Sequence, residues 1–271
     1  MRTLLVCGLS LILFGCYEES TGCLDPDADN YAFIADLACS DCCSFPELAI
    51  RNLTVWGDST IVVGKTYRDG ANNEFRIVRF RYYLGDLRLE SSTVDLADPS
   101  RSVDLLEIVN GDTTDVTLNG NYLLATASSI TTTTVGALRA GVSPLIALSG
   151  SYGLPDRFRN VIPASAPSGD ALRTQPGRLN YRDGRGYVQS RLEYTLPPAT
   201  DTLSVSSYGS VPFELSFGQE IPPARGFDIR LDLQSDLSLL LGTIDLSGDS
   251  SSVADGLNQA PDFIRVAGFV Q

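Results

Sequence analysis

The chain has 271 residues, 33 of them Asp or Glu against 20 Lys or Arg, and a formal net charge of −13. That length suits one large domain with or without a small appendage, and the acidity argues against a nucleic-acid partner, because phosphate backbones are repelled. There is no histidine, and Lys65 is the only lysine, so Ser-His-Asp and Cys-His nucleophilic sites are excluded, as is histidine-ligated zinc, iron or copper.

Leu4–Phe14 is almost wholly apolar and follows Arg2. At about ten residues it is too short to span a bilayer, which needs roughly 20, and it reads as the apolar region of a secretory signal. Leu13-Phe14-Gly15-Cys16 resembles the bacterial lipobox. The resemblance implies cleavage after Gly15, lipidation of Cys16 and a membrane partner reached through the acyl chains. Cys7 would leave with the signal, as would Arg2, taking the charge from −13 to −14. Residues 1–15 are therefore expected to be a signal peptide and 16–46 a lipidated tether with a Cys-rich module. The expected location is the outer membrane of a Gram-negative bacterium, on its periplasmic face or at the cell surface. Glu18 and Glu19 resemble the acidic export signal of surface lipoproteins; a plain solvated tether is the other reading.

Four cysteines remain: Cys23, Cys39, Cys42 and Cys43. An even number in an exported chain points to two disulfides. Of the three pairings, the one joining the neighbours Cys42 and Cys43 is disfavoured by disulfide geometry, and the other two both tie Cys23 to the 39–43 cluster. Four-thiolate zinc is the rival, and adjacent cysteines suit it poorly. "GCLDPDADNYAFIADLACSDCC" also resembles a short module of secreted Gram-negative proteins, matched at Gly22, Cys23, Asp25, Pro26, Ala28, Asn30, Tyr31 and Ala35. Asp25, Asp27 and Asp29 alternate as calcium ligands do. However, Asn30 stands at the usual turning glycine and Asp36 at the usual bidentate Glu, so an Asx-turn with a solvated acidic face is the competing reading.

"GKT" at Gly64–Thr66 is not a P-loop, since Ser59 stands where the pattern needs its first glycine. From Glu47 onward, apolar and polar residues alternate. Val78, Phe80, Tyr82 and Leu84 fall on one strand face, Arg79, Arg81 and Tyr83 on the other. The alternation slips at Gly85-Asp86, which predicts a bulge. Asp183-Gly184 marks a turn. Val188 to Leu196, Val211 to Phe217 and Phe227 to Leu233 then repeat the period of two. Strands apolar on one side only predict antiparallel sheets packed face to face. The expected fold is all-β, an immunoglobulin-like antiparallel β-sandwich over 47–271 preceded by a small disulfide-bonded segment. One short helix is expected near Ser252–Gln259. No repeat of 20–50 residues occurs, which argues against a propeller or solenoid.

"GKTYRDGANNEFRIVRFRYYLGDLRLES" resembles the opening of the MbnP-like family, through Phe75, Val78, Phe80, Tyr82, Tyr83, Leu84, Asp86, Leu87, Arg88 and Leu89. "LNYRDGRGYVQSRLEY" resembles a second block of that family at Gly186, Tyr187, Leu192 and Glu193. The resemblance implies an exported, often lipidated sandwich. It also implies copper binding beside a di-haem cytochrome partner that oxidises a tryptophan. This chain departs at the chemistry: it has no histidine, Asn180, Tyr181 and Arg182 stand where tryptophans precede the Gly-Tyr pair, and Trp56 lies elsewhere.

These readings favour a non-catalytic binding or accessory module at the cell envelope, whose sandwich loops present ligand-contact surfaces. Metal binding is the first alternative. Copper does not fit this ligand set, whereas carboxylates such as Asp86, Asp183 and Glu193 suit calcium, with turns and cross-strand arginine pairing as their structural role. A carbohydrate-binding or carbohydrate-active surface protein is the second; nothing selects a catalytic carboxylate pair. Tyr82, Tyr83, Tyr181 and Tyr187 are the candidate ligand-contact residues, against the reading that strand tyrosines pack half-buried.

Overall fold

A computed structural model describes residues 18–39, 41–93, 99–173, 180–182, 184–259 and 261–271. The N-terminal collar holds two short strands, β1 (Thr21–Gly22) and β2 (Leu37–Ala38), paired in parallel. Cys23 bonds to Cys43 and Cys39 to Cys42, with Cα–Cα distances of 5.0 and 5.7 Å. This is one of the two arrangements that tie Cys23 to the later cluster. Closing the 20-residue separation restricts the unfolded collar, which is too short to bury a core of its own.

The body opens with β3 (Glu47–Trp56), β4 (Ser59–Thr60), β5 (Thr66–Arg68) and the 18-residue β6 (Glu74–Ser91). A hairpin follows, β7 (Ser102–Val109) and β8 (Asp112–Asn119), then β9 (Leu123–Thr126), β10 (Thr131–Ala137) and β11 (Leu145–Tyr152). Next come β12 (Tyr181–Arg182), β13 (Gly186–Thr195), β14 (Leu203–Tyr208), β15 (Val211–Ile221) and β16 (Ile229–Asp236). Two short helices, α1 (Leu237–Leu241) and α2 (Ser250–Leu257), precede β17 (Ile264–Val270). Asp249 caps α2 by accepting from the backbone N–H groups of Ser251 and Ser252.

Two sheets form the sandwich, in the orders β10-β3-β16-β17 and β12-β13-β6-β11-β15; β4 flanks the first, and β5, β9 and β14 flank the second. Leu48 and Ile50 of β3 and Leu231 and Leu233 of β16 meet Phe80, Leu84, Leu148 and Leu192 of the other sheet in one buried cluster. The all-β sandwich is thus as the alternation predicts. One pairing differs: β3 and β16 run parallel, Leu48 opposite Ile229 through Val55 opposite Asp236. No hairpin links these strands. The chain returns to β3 only after building the other sheet, so the crossover and not a turn sets the direction.

β6 is the spine. It pairs with β13 along its first half and with β11 along its second, and two slips divide it. The register with β11 shifts between Ser149 opposite Arg88 and Ser151 opposite Gly85, with Asp86 at φ 51°, which is the slip predicted at Gly85-Asp86. The other was not predicted: the register with β13 jumps from Arg79 to Ile77, so Ile77 turns inward and Val78 is 40% exposed. The inward set is Ile77, Phe80, Tyr82 and Leu84, without Val78. Phe227 likewise lies outside β16 and is exposed, while Ile229, Leu231 and Leu233 face the core.

The sandwich interior contains one polar knot. Tyr82 of the second sheet donates to Ser235 Oγ at 2.6 Å, Ser235 donates to Asn52 Oδ1 at 2.8 Å, and Asn52 Nδ2 donates back to the Tyr82 hydroxyl at 3.0 Å. All three residues are fully buried. Each therefore satisfies the others where water cannot reach, and Ser235 and Asn52 belong to the opposite sheet.

Candidate functional site

Adjacent residues on a strand point to opposite faces. Tyr82 faces the sandwich interior, and Tyr83 faces a second cluster on the far side of β6, formed with Val103, Tyr122, Phe158, Leu172 and Tyr187. The outer face of this sheet is not open here, because the β7–β8 hairpin and the stretch 154–172 pack across it. Tyr83 stacks edge-on against Tyr187 at 5.8 Å and donates to the Ala171 carbonyl at 2.7 Å. Tyr187 donates to the Leu172 carbonyl at 2.8 Å. The Asp170 carboxylate accepts from Tyr122 at 3.0 Å, from the Leu172 N–H at 2.8 Å and from Arg101 at 2.8 Å. Burial pushes the Tyr83, Tyr122 and Tyr187 hydroxyls well above the ordinary tyrosine range, so they stay protonated donors aimed at fixed acceptors.

A pocket of about 220 Å³ opens at the edge of this cluster. Its lining comes from three separated stretches: Leu154 to Arg159, Arg185 with Tyr187, and Tyr208 with Gly209. The first is set by the bulge. A side chain at Gly85 would press within 3.1 Å of both the Gly153 carbonyl and Pro155, so glycine lets the returning loop pass close without displacing either. The Gly153 N–H then donates to the Tyr83 carbonyl at 2.8 Å. A single 3-10 turn, Asp156–Phe158, follows. Phe158 is its buried anchor, edge-on to Tyr122 at 5.3 Å, which leaves Asp156, Arg157 and Arg159 facing outward. Across the pocket, Gly186 sits at φ +81° with Arg159 packed over it.

The charges here are unequal in availability. Arg157 is paired with Asp86. Arg185 lies 5.2 Å from the Tyr208 ring centre, stacked on an aromatic face. Among the described residues, neither Arg159 nor Arg185 has a carboxylate within ion-pair distance. Stacking orients the Arg185 guanidinium while leaving its N–H donors unengaged. In a chain of net charge −13, two such arginines beside the single Asp156 make a local site for an anion, and the planar guanidinium fork matches a carboxylate.

Apart from Tyr187, the residues singled out from sequence lie elsewhere or outside the described residues. Cys16 and Asp183 fall outside the described residues. Asp25 pairs with Arg139 at 2.7 Å and accepts from the Asp27 N–H at 3.0 Å, an Asx-turn. Asp27 lies 3.1 Å from Arg225, and Asp29 accepts from Ser44. These three carboxylates diverge to three partners instead of converging on an ion. Asp86 and Glu193 are held apart as well, Glu193 by Arg191 at 3.1 Å and Arg79 at 3.7 Å. Among the described residues no three acidic or cysteine side chains group as metal ligands do.

Of the tyrosines, Tyr82 and Tyr83 are wholly buried, which removes them from ligand contact; Tyr181 is half-buried, 5.1 Å from Tyr187. Tyr187 alone touches the pocket. Arg159, Arg185 and Tyr208 went unmarked. The available signal was the density of arginine in "DRFR" and "RDGRGY" against so acidic a background.

No protein-family model matches the chain, and no curated protein matches it. Among solved structures, MbnP from Methylosinus trichosporium is similar at 13% identity with a TM-score of 0.42, over 75% of this chain and 80% of that one. At that level the likeness carries no argument about ligand or partner.

Proposed function

We propose that this chain is an exported, lipid-anchored binding module of the cell envelope whose ligand is a small carboxylate-bearing anion held between Arg159 and Arg185. Export and anchoring are supported by the apolar leader, the lipobox-like Leu13–Cys16 and the two disulfides that an oxidising compartment preserves. The observation that carries the ligand reading is the pair of guanidiniums with no carboxylate within ion-pair distance among the described residues, one of them stacked on Tyr208.

The same groups support a reading of binding without catalysis. A guanidinium keeps its protons at any pH the envelope meets, so it orients an anion without acting as acid or base. The pocket volume of about 220 Å³ admits a single sugar acid or a peptide terminus and little more.

Calorimetric titration of the exported chain tests this, with galacturonate and a dipeptide as carboxylates and galactose as the neutral control. The expected result is saturable binding of a carboxylate but not of galactose. An R159A/R185A double variant should lose it at least about tenfold, since charge-assisted hydrogen bonds contribute 1.5–3 kcal/mol each. Y208F should retain binding and Y208L should lose a few-fold through the stacking contact. If no carboxylate binds, or the double variant binds as tightly, the reading is wrong.

A further inference from the structure

The collar carries a feature that folding does not explain. Ala35 donates its N–H to the Ala32 carbonyl at 3.0 Å, closing a tight turn with Phe33 and Ile34 at its centre. Turn centres normally hold Gly, Pro, Asn, Asp or Ser. Here two large apolar side chains stand 78% and 75% exposed, flanked by Tyr31 and Leu37 at 47% and 48%. Leaving them in water yields no burial energy to the fold.

The turn is also pinned to the chain's incoming end. Ser20 donates its N–H to Asp36 at 3.0 Å, and its carbonyl accepts from the Asp36 and Leu37 N–H groups at 2.9 and 3.1 Å. Gly22 lies directly beneath, where a Cβ would come within 3.0 Å of Ala32 and Ala35. Cys16 is four residues before Ser20, so the connecting chain reaches at most about 14 Å. A lipid on Cys16 would therefore keep Ser20, and the turn pinned to it, within that reach of the bilayer surface.

We infer that the Phe33-Ile34 turn is a second membrane contact, inserting its apolar tip among lipid acyl chains beside the anchor. This rests on the lipid-anchor reading above. The tip is shallow: Asp36, two residues after Ile34, is exposed, which suits zwitterionic headgroups better than anionic ones. Together the acyl anchor and the tip fix the orientation of the collar relative to the membrane, which a flexible tether alone would leave free.

The test uses the full acylated chain on vesicles of brominated phosphatidylcholine. Trp56 is the only native tryptophan and is partly buried in the body, so an F33W variant reports the turn, with I34W as a second probe should the first disturb the collar. Mass analysis establishes acylation at Cys16 and both disulfides beforehand. The expected result is a blue shift and roughly twofold quenching for F33W or I34W but not for the wild type, as for an indole at the lipid interface. Acylated, vesicle-bound protein with unquenched indoles in both variants overturns this inference and leaves the anchor reading standing. A chain exported without acyl groups on Cys16 overturns the anchor reading and this inference with it. A blue shift that grows with protein concentration in the absence of vesicles would make a second copy the occupant and also overturn it.

Discussion

The Tyr82 hydroxyl and the Asn52 side-chain amide meet 3.0 Å apart at the centre of the sandwich, one from each sheet. Ser235 closes the ring. Y82F leaves the Asn52 N–H without an acceptor and Ser235 Oγ without a donor in a dry interior, and the expected loss is about 1–3 kcal/mol. A Y82F/N52L/S235A variant removes every polar member and is expected to lose less than the single change implies. Urea unfolding of both variants decides it.

Alkaline pH is expected to loosen the fold from the same places. Burial pushes the Tyr82 hydroxyl up to about 12, opposed in part by hydrogen bonds with Ser235 and Asn52, and burial raises Tyr83, Tyr122, Tyr152 and Tyr187 too. The native state holds these protons more tightly than the unfolded chain, whose tyrosines titrate near 10. Their contribution is complete below pH 10 and is lost as pH climbs through the native values. Tyr82 alone accounts for about 3 kcal/mol between pH 10 and 12. Melting temperatures should be level from pH 8 to 9.5 and fall steeply beyond, with a distinct step in tyrosinate absorbance at unfolding as these five buried hydroxyls ionise.

Two glycines separate backbone conformation from space. Gly57 and Gly153 both have positive φ, at 59° and 101°. A Cβ at Gly57 meets nothing within 4 Å, whereas one at Gly153 falls 2.2 Å from the Gly209 carbonyl and 3.0 Å from Gln189. G57A should cost about 1 kcal/mol, and G153A about 3 kcal/mol or more, with loss of the pocket wall. Denaturation midpoints and carboxylate binding should move together for G153A only.

Asp170 holds the outer layer down. Its carboxylate is 1% exposed and faces Arg101, Tyr122 and the Leu172 N–H. D170A leaves a half-buried guanidinium and two buried donors without an acceptor, at an expected cost of about 3–5 kcal/mol. Hydrogen exchange should show lost protection first in 156–173, ahead of β3 and β16.

Local pattern made much of this molecule readable. The period of two over Val188 to Leu196 matches β13, the slip at Gly85-Asp86 is a bulge, and the helix expected at Ser252–Gln259 forms two residues earlier, from Asp249 as its cap. What local pattern did not carry is non-local. The parallel partner of β3 lies some 180 residues away. Val78 turns outward because it is the extra residue of a bulge in β6, opposite the consecutive Glu193 and Tyr194 of β13, and no glycine marks that slip in the sequence. Alternation correctly set Tyr82 and Tyr83 on opposite faces, yet it could not say that both faces are covered. The pocket draws on three stretches no two of which are adjacent in the chain. The ligand-contact expectation therefore settled on the tyrosines, whereas the accessible groups are arginines.

β6 sends Tyr82 into one interior and Tyr83 into the other. A partition wall common to two rooms cannot be taken down for one of them. The pocket's floor and the sandwich proper should therefore melt as a single event, and cutting away the β7–β8 hairpin would unroof a wall of aromatic rings on a strand the remaining sheet still needs.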